Sequence, residues 1–334
     1  MASGPRARGG ERRPPRLAWA VVLLLCLSPG TAAAEERFVL IVSGASGAQE
    51  YAATFSEWTT ELARTLTHRF NLDASRLVVL SESDDATVAS TAANVRRAIT
   101  LFQRRMTRDD VLLVVLIGHG TFDGIDAKFN LVGPDLEAAQ WAALLDPVPG
   151  RVVLVNTTAA SFPFLERLAG PRRVVIAATD SPAQRYQTVF PEYFIKAFAD
   201  EAADLDKNGR VSIWEAFAAA SAGVRRHYQQ RGQLSTERGL LDDSGDGVGG
   251  DAGEPGENGS LASRIYLDVP MPGAAPTDDV LLKLLQRKAT LEADVEDLKI
   301  RRTFLPGDEY AAEFERLMIE LARVSRDVRE RVKS

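Results

Sequence analysis

At 334 residues, with 45% hydrophobic and 26% charged residues, the chain has the size of one large globular domain with an appendage and the composition of an ordinary water-soluble protein. Its net charge of −6 argues against nucleic acid and anionic membrane surfaces as partners. A single cysteine, Cys26, excludes a disulfide framework, and beyond residue 34 it leaves no thiol for catalysis.

The first 34 residues have the pattern of a signal peptide. Arg6, Arg8, Arg12, Arg13 and Arg16 form a basic region, Leu17 to Leu27 an apolar one, and Thr31 to Ala34 a small-residue cleavage site. This predicts export, to a periplasm or out of the cell, with the apolar run too short for a stable span and an uncleaved anchor as the alternative; no membrane span is expected in the remaining chain. Residues 1–34 hold five Arg and one Glu, a net of +4, so the −6 of the whole becomes −10 for the remainder.

From residue 37 apolar runs alternate with helical periodicity. Arg37 to Val42 predicts a strand. Tyr51, Phe55, Trp58, Leu62, Leu66 and Phe70 recur at helical spacing, and Arg76 to Leu80 predicts a second strand. The polar turn Ser81 to Asp85 is placed to cap a helix marked by Val88, Ala92, Val95, Ile99 and Phe102. Val111 to Ile117 is an unbroken β-branched and Leu run, the kind buried on both faces of a parallel sheet. Phe129 to Val132 predicts a short extended segment, Asp135 to Leu145 a helix, Arg151 to Val155 another buried strand, and Phe162 to Leu168 one or two helical turns. Arg172 to Ala178 predicts a fifth strand and Phe190 to Ala202 an aromatic-rich helix. Strands and helices alternating in this way predict right-handed βαβ units and an α/β fold with a mostly parallel central sheet.

Two of these strands end in chemistry. Val111 to Ile117 runs into Gly118-His119-Gly120, where flanking glycines leave the imidazole uncrowded. Arg151 to Val155 runs into Asn156-Thr157-Thr158. In open α/β sheets ligand sites lie beyond the carboxyl ends of strands, so one rim should carry both. A buried strand ending in His-Gly, followed thirty to forty residues later by a buried strand ending in a nucleophile, resembles the caspase-hemoglobinase group of cysteine peptidases, in particular its legumain-like branch. The resemblance implies a three-layer sandwich over residues 35–270, with His119 and Gly120 at the catalytic histidine motif and Thr158 at the nucleophile position. The family's cysteine is replaced by Thr158. Two functions then follow: a non-catalytic relative that binds a protein or peptide, or a hydrolase using Thr158 or Ser161 with His119. A hydroxyl is far less acidic than a thiol, and an internal threonine lacks the amino-terminal base that such nucleophiles use. Asp123, Asp126 and Asp180 lie in the loops around the same rim, as selectors of a basic ligand group or as turn-formers.

The sharpest motif is Asp204-Leu-Asp-Lys-Asn-Gly-Arg-Val-Ser-Ile-Trp-Glu215, which fits the twelve-residue EF-hand loop. Asp204, Asp206 and Asn208 offer side-chain oxygens, Arg210 its carbonyl, Ser212 a direct or water-mediated contact, and Glu215 closes the site. The expected ligand is one Ca²⁺ that stabilises the domain. A weaker echo at Asp242, Ser244 and Asp246 has Gly253 in the closing place. Residues 242–262, rich in Gly, Asp and Glu, predict a flexible loop. Residues 279–334 predict a helical hairpin with coiled-coil-like spacing, broken at Leu305-Pro-Gly-Asp308, which serves as a docking arm, as a route to oligomers, or as a lid on the domain.

Overall fold

The structure, a computed structural model, describes Met1, Gly4 and residues 35–332 apart from 185, 255 and 269–278. Save for those first two residues, the predicted signal segment lies outside the described residues. Glu35–Ser334 forms one compact unit. No described helix is long and apolar enough to cross a membrane.

The unit is built on a six-stranded sheet. The strands are β1 (Arg37–Ser43), β2 (Leu77–Leu80), β3 (Val111–Ile117), β7 (Arg151–Asn156), β8 (Arg173–Ala177) and β9 (Leu240–Asp242). Their spatial order is β2-β1-β3-β7-β8-β9. All neighbours are parallel except β8 and β9. Five of these strands fall where their apolar runs predict. The sixth, β9, is too short and polar to announce itself. Between β3 and β7 a small antiparallel sheet of β4 (Gly120–Phe122), β5 (Ala127–Phe129) and β6 (Leu136–Glu137) forms above the main one.

Alternation along each strand sorts side chains into two cores. Val39, Ile41, Leu113, Val115, Val153 and Ile176 face one way, with α1 (Gln49–Arg64), α5 (Phe190–Ala197) and α6 (Ile213–Gln230). Leu40, Val42, Leu112, Val114, Leu154 and Val175 face the other, with α2 (Ala92–Arg105), α3 (Ala138–Leu145) and α4 (Pro163–Leu168). Helices cover both faces, which gives the predicted three-layer α/β sandwich. Helix α2 starts later than its periodicity suggests, because Thr91 Oγ1 accepts the Asn94 N–H and caps it there. Asp85, at the end of the polar turn predicted to cap it, accepts from Thr87.

The C-terminal hairpin forms as predicted, from α7 (Asp279–Ile300) and α8 (Gly307–Val332). It is no free arm. Leu281, Leu282, Leu285, Leu291, Val295 and Leu298 of α7 are buried in the same core as α5 and α6. Three α7 side chains also donate to backbone carbonyls of the domain: Lys288 Nζ to Leu205 at 2.7 Å, Thr290 Oγ1 to Gly253 at 3.0 Å and Gln286 Nε2 to Asn258 at 2.9 Å. Of the roles the sequence leaves open, the structure favours the lid.

Within residues 242–262, predicted as a flexible loop, two acids accept several backbone donors. Asp242 accepts the N–H groups of Ser244, Gly245 and Gly247. Asp243 accepts those of Gly259, Leu261 and Ala262. Carboxylates that satisfy this many backbone donors order a segment that has little apolar surface to bury.

Candidate functional site

Strands β3 and β7 are neighbours in parallel register, with Leu116 opposite Asn156, so His119 and Thr158 emerge at the same end of the sheet. The link is close. A Cβ added to Gly120 would come within 2.5 Å of Thr158 Oγ1 and 3.0 Å of the Lys128 carbonyl, so only glycine fits at that place. Thr157 continues the strand pairing, donating its N–H and its Oγ1 to the Leu116 carbonyl.

The two groups share an edge, each held by its own neighbours. The His119 ring lies edge-on to Tyr51 at 4.7 Å and to Phe55 at 5.2 Å, both on α1. Partial burial pushes its pKa down, against a hydrogen bond with the Ser46 backbone that favours the charged ring. Thr158 is 1% exposed, its N–H donates to Asn156 Oδ1, and its Oγ1 is buried with no hydrogen-bond partner. Ser161 is equally buried and pairs with Thr179, Oγ to Oγ1, at 3.0 Å. Neither hydroxyl is hydrogen-bonded to His119. Asp123 accepts from Ile125 and Asp126 and is a turn-former. Asp180 lies 3.8 Å from Arg238. Beside this edge Gly120, Phe122, Ala160, Phe162, Pro182 and Gln184 line a cavity of about 340 Å³. The packing makes a specific expectation. Thr158→Val, which removes an unpaired buried hydroxyl at constant shape, should leave thermal stability unchanged or raise it by up to about 1 kcal/mol. Gly120→Ala should lower it by roughly 1–3 kcal/mol through overpacking. Thermal unfolding of the two variants measures both, and a clear loss in Thr158→Val would mean that the hydroxyl has a partner.

The acidic loop lies between α5 and α6. Its backbone turns through Lys207 at φ 61° and Gly209 at φ 84°, the second being the glycine the motif demands. Gly209 N–H donates to Asp204 Oδ2 at 2.9 Å, Asn208 N–H to Asp206 Oδ1 at 2.9 Å, and Arg210 N–H to Asn208 Oδ1 at 2.8 Å, so the ligand positions are wound inward. Ser212 is the N-cap of α6, in a reciprocal capping box with Glu215. That box sets the Glu215 carboxylate facing the loop, where Oε1 also accepts from Leu205 N–H at 2.8 Å.

Carboxylate oxygens of Asp204, Asp206 and Glu215 all lie within 4.8 Å of one another, and all three residues are buried. Burial and the Glu215 charge push Asp206 up to about 8. Burial, with the Asp204 charge adding to it, raises Glu215 to about 7 despite its hydrogen bonds to Ser212. Three convergent buried carboxyls, two of which, Asp206 and Glu215, resist ionising, call for protons or a cation between them. Oxygen donors from side chains at loop positions one, three, five and twelve fit a hard divalent ion such as Ca²⁺.

Sequence reading missed the supports of this loop. Arg210 does more than offer a carbonyl: its guanidinium pairs with Asp268 at 2.6 Å and lies over the Tyr266 ring at 3.9 Å. Asn208 Nδ2 donates to Tyr266 Oη at 3.1 Å, and Ile213 N–H to the Ile265 carbonyl at 2.9 Å. With Lys288 against Leu205, the loop is braced on two sides. Nothing in the local spacing pointed to residues more than fifty positions away.

No protein-family model and no curated protein matches the sequence. Among solved structures, the chain is similar to a structural-genomics protein of Geobacter sulfurreducens, at 12% identity and a TM-score of 0.43, over 71% of this chain and 100% of that one. It is also similar to the Drosophila initiator caspase Dronc, at 14% identity and 0.44, over 64% of this chain and 81% of that one. A third similarity is to a secreted C11 cysteine protease of Bacteroides thetaiotaomicron, at 10% identity and 0.36, over 63% and 67%.

Proposed function

We propose that this protein is an exported, catalytically inactive relative of legumain-like cysteine peptidases that works by binding a protein or peptide, with one Ca²⁺ stabilising the domain. The observation that carries the reading is Thr158. At the position where the resemblance requires a cysteine stands a hydroxyl that is 1% exposed, confined beneath Gly120 and without a hydrogen-bonding base. A hydroxyl with no base to take its proton is a poor nucleophile. The cavity at the strand ends, where Phe122 and Phe162 are in edge contact at 5.1 Å beside Gln184, offers a mixed, mostly polar surface for a bound side chain. Asp204, Asp206 and Glu215 supply the charge for the ion, with Asn208, the Arg210 carbonyl and Ser212 completing the ligand set.

Incubation of the purified protein with a broad peptide library, beside His119→Ala, tests the reading. No cleavage by either protein is expected. Turnover that disappears in His119→Ala would instead establish the hydrolase that uses Thr158 or Ser161. Sequencing the amino terminus of the protein recovered from its native host tests export, with a new terminus near Glu35 expected.

A further inference from the structure

A cavity of about 590 Å³ lies between α6 and the hairpin, apart from the strand-end cavity and bordering the acidic loop at Leu205. This is within the range of small-molecule sites. The sequence of α6 creates it. Ala218, Ala219 and Ala222 stand where a helix facing a hairpin would ordinarily carry Leu or Ile, and Ala289 stands opposite on α7. Val295 and Leu321 complete an apolar wall. Close packing is the rule in protein interiors, so unfilled space of this size between three helices is a departure from it.

One end of the cavity is basic. Arg225 and Arg226 follow Ala222 along α6, one turn on, and Lys299 reaches the same rim from α7. Among the described residues Arg225 and Arg226 have no ion pair or hydrogen bond. The lining also carries two acids: Asp200, which accepts the Ala202 N–H at 2.9 Å, and Glu292, 3.9 Å from Lys288. Ser221, one turn before Arg225, also lines the cavity, and its Oγ is buried without a partner. Two uncommitted guanidiniums on a chain of net charge −6 are a local exception to the acidic whole.

We propose that this cavity binds a single-chain fatty acid, the alkyl chain lying along Ala218, Ala222 and Val295 and the carboxylate meeting Arg225 and Arg226. Planar guanidiniums suit a carboxylate, and an apolar chain suits the alanine-lined interior. The site is separate from the strand-end cavity and adjoins the acidic loop only at Leu205.

Calorimetric titration of the full chain with decanoate and with decanol tests it. Saturable one-site binding of decanoate is expected, with decanol weaker by about tenfold or more, the worth of a charge-assisted hydrogen bond. The double variant Arg225→Glu, Arg226→Glu changes residues on the cavity rim. It should lose about tenfold or more for decanoate and keep its affinity for decanol. Ala222→Trp should abolish binding of both by filling the cavity. Absence of saturable decanoate binding overturns the proposal, as does equal affinity for acid and alcohol. Decanoate binding that the double charge reversal leaves untouched overturns it as well, and that variant needs no rearrangement of the core.

Discussion

Removing divalent ions from the protein should make its melting temperature fall as the pH rises from about 5 to about 8, and millimolar calcium should abolish that fall. The sign follows from Asp206 and Glu215. Both carboxyls are raised by burial, to about 8 and about 7, above the ordinary values they have in an unfolded chain. Without metal, the folded state therefore holds protons in this interval that the unfolded state has released. Stability from these groups is complete below their unfolded pKa and is lost as the pH rises through the folded values. Bound calcium would replace the protons. At a hundredfold excess over its dissociation constant it contributes about 2.7 kcal/mol, or roughly 4 °C for a chain of this size. Glu215→Gln should remove the calcium response. The same variant, with one buried charge fewer, should be more stable than the metal-free parent at pH 8. Differential scanning calorimetry over a pH series, with chelator and with calcium, measures all of this. A melting temperature indifferent to calcium would leave the segment as a capped acidic turn.

The second large effect concerns the hairpin. A chain ending at residue 278 should be insoluble, or should expose apolar surface to a hydrophobic dye. Six apolar side chains of α7 are buried in the core shared with α5 and α6. At about 2 kcal/mol each, with half of that burial internal to the hairpin, the domain loses roughly 6 kcal/mol of apolar burial. The whole stability of a protein is only about 5–15 kcal/mol. Lys288, which braces the Leu205 carbonyl, is lost as well, so calcium affinity should drop in whatever truncated protein remains folded. A soluble truncated chain with the parent's melting temperature would restore the independent docking arm.

Much of the architecture is written locally. Val111 to Ile117 and Arg151 to Val155 are apolar without interruption, and only a strand buried on both faces accommodates such runs. The Asp204–Glu215 loop is legible because its ligand positions, its glycine and its capping serine all lie within one turn and the helix start that follows. The spacing of α7 and α8 shows two helices that must bury a seam. In each case the determining contacts fall within a few residues, where the periodicity of the backbone fixes which side chains meet.

The tertiary structure decided what pairings across long sequence separations control. The sequence brings His119 and Thr158 to one rim, but the packing of α1 turns the imidazole toward Tyr51 and Phe55, and Gly120 lies against the threonine hydroxyl. Composition made residues 242–262 a flexible loop. Asp243 ties the two ends of that loop together by accepting from backbone donors at residues 259, 261 and 262. Spacing made the hairpin a possible arm, and Lys288, 83 residues from its partner Leu205, fastens it down. A hydrogen bond of that reach leaves no periodic trace in the chain, because its geometry exists only once both partners have been placed by the separate folding of their own elements.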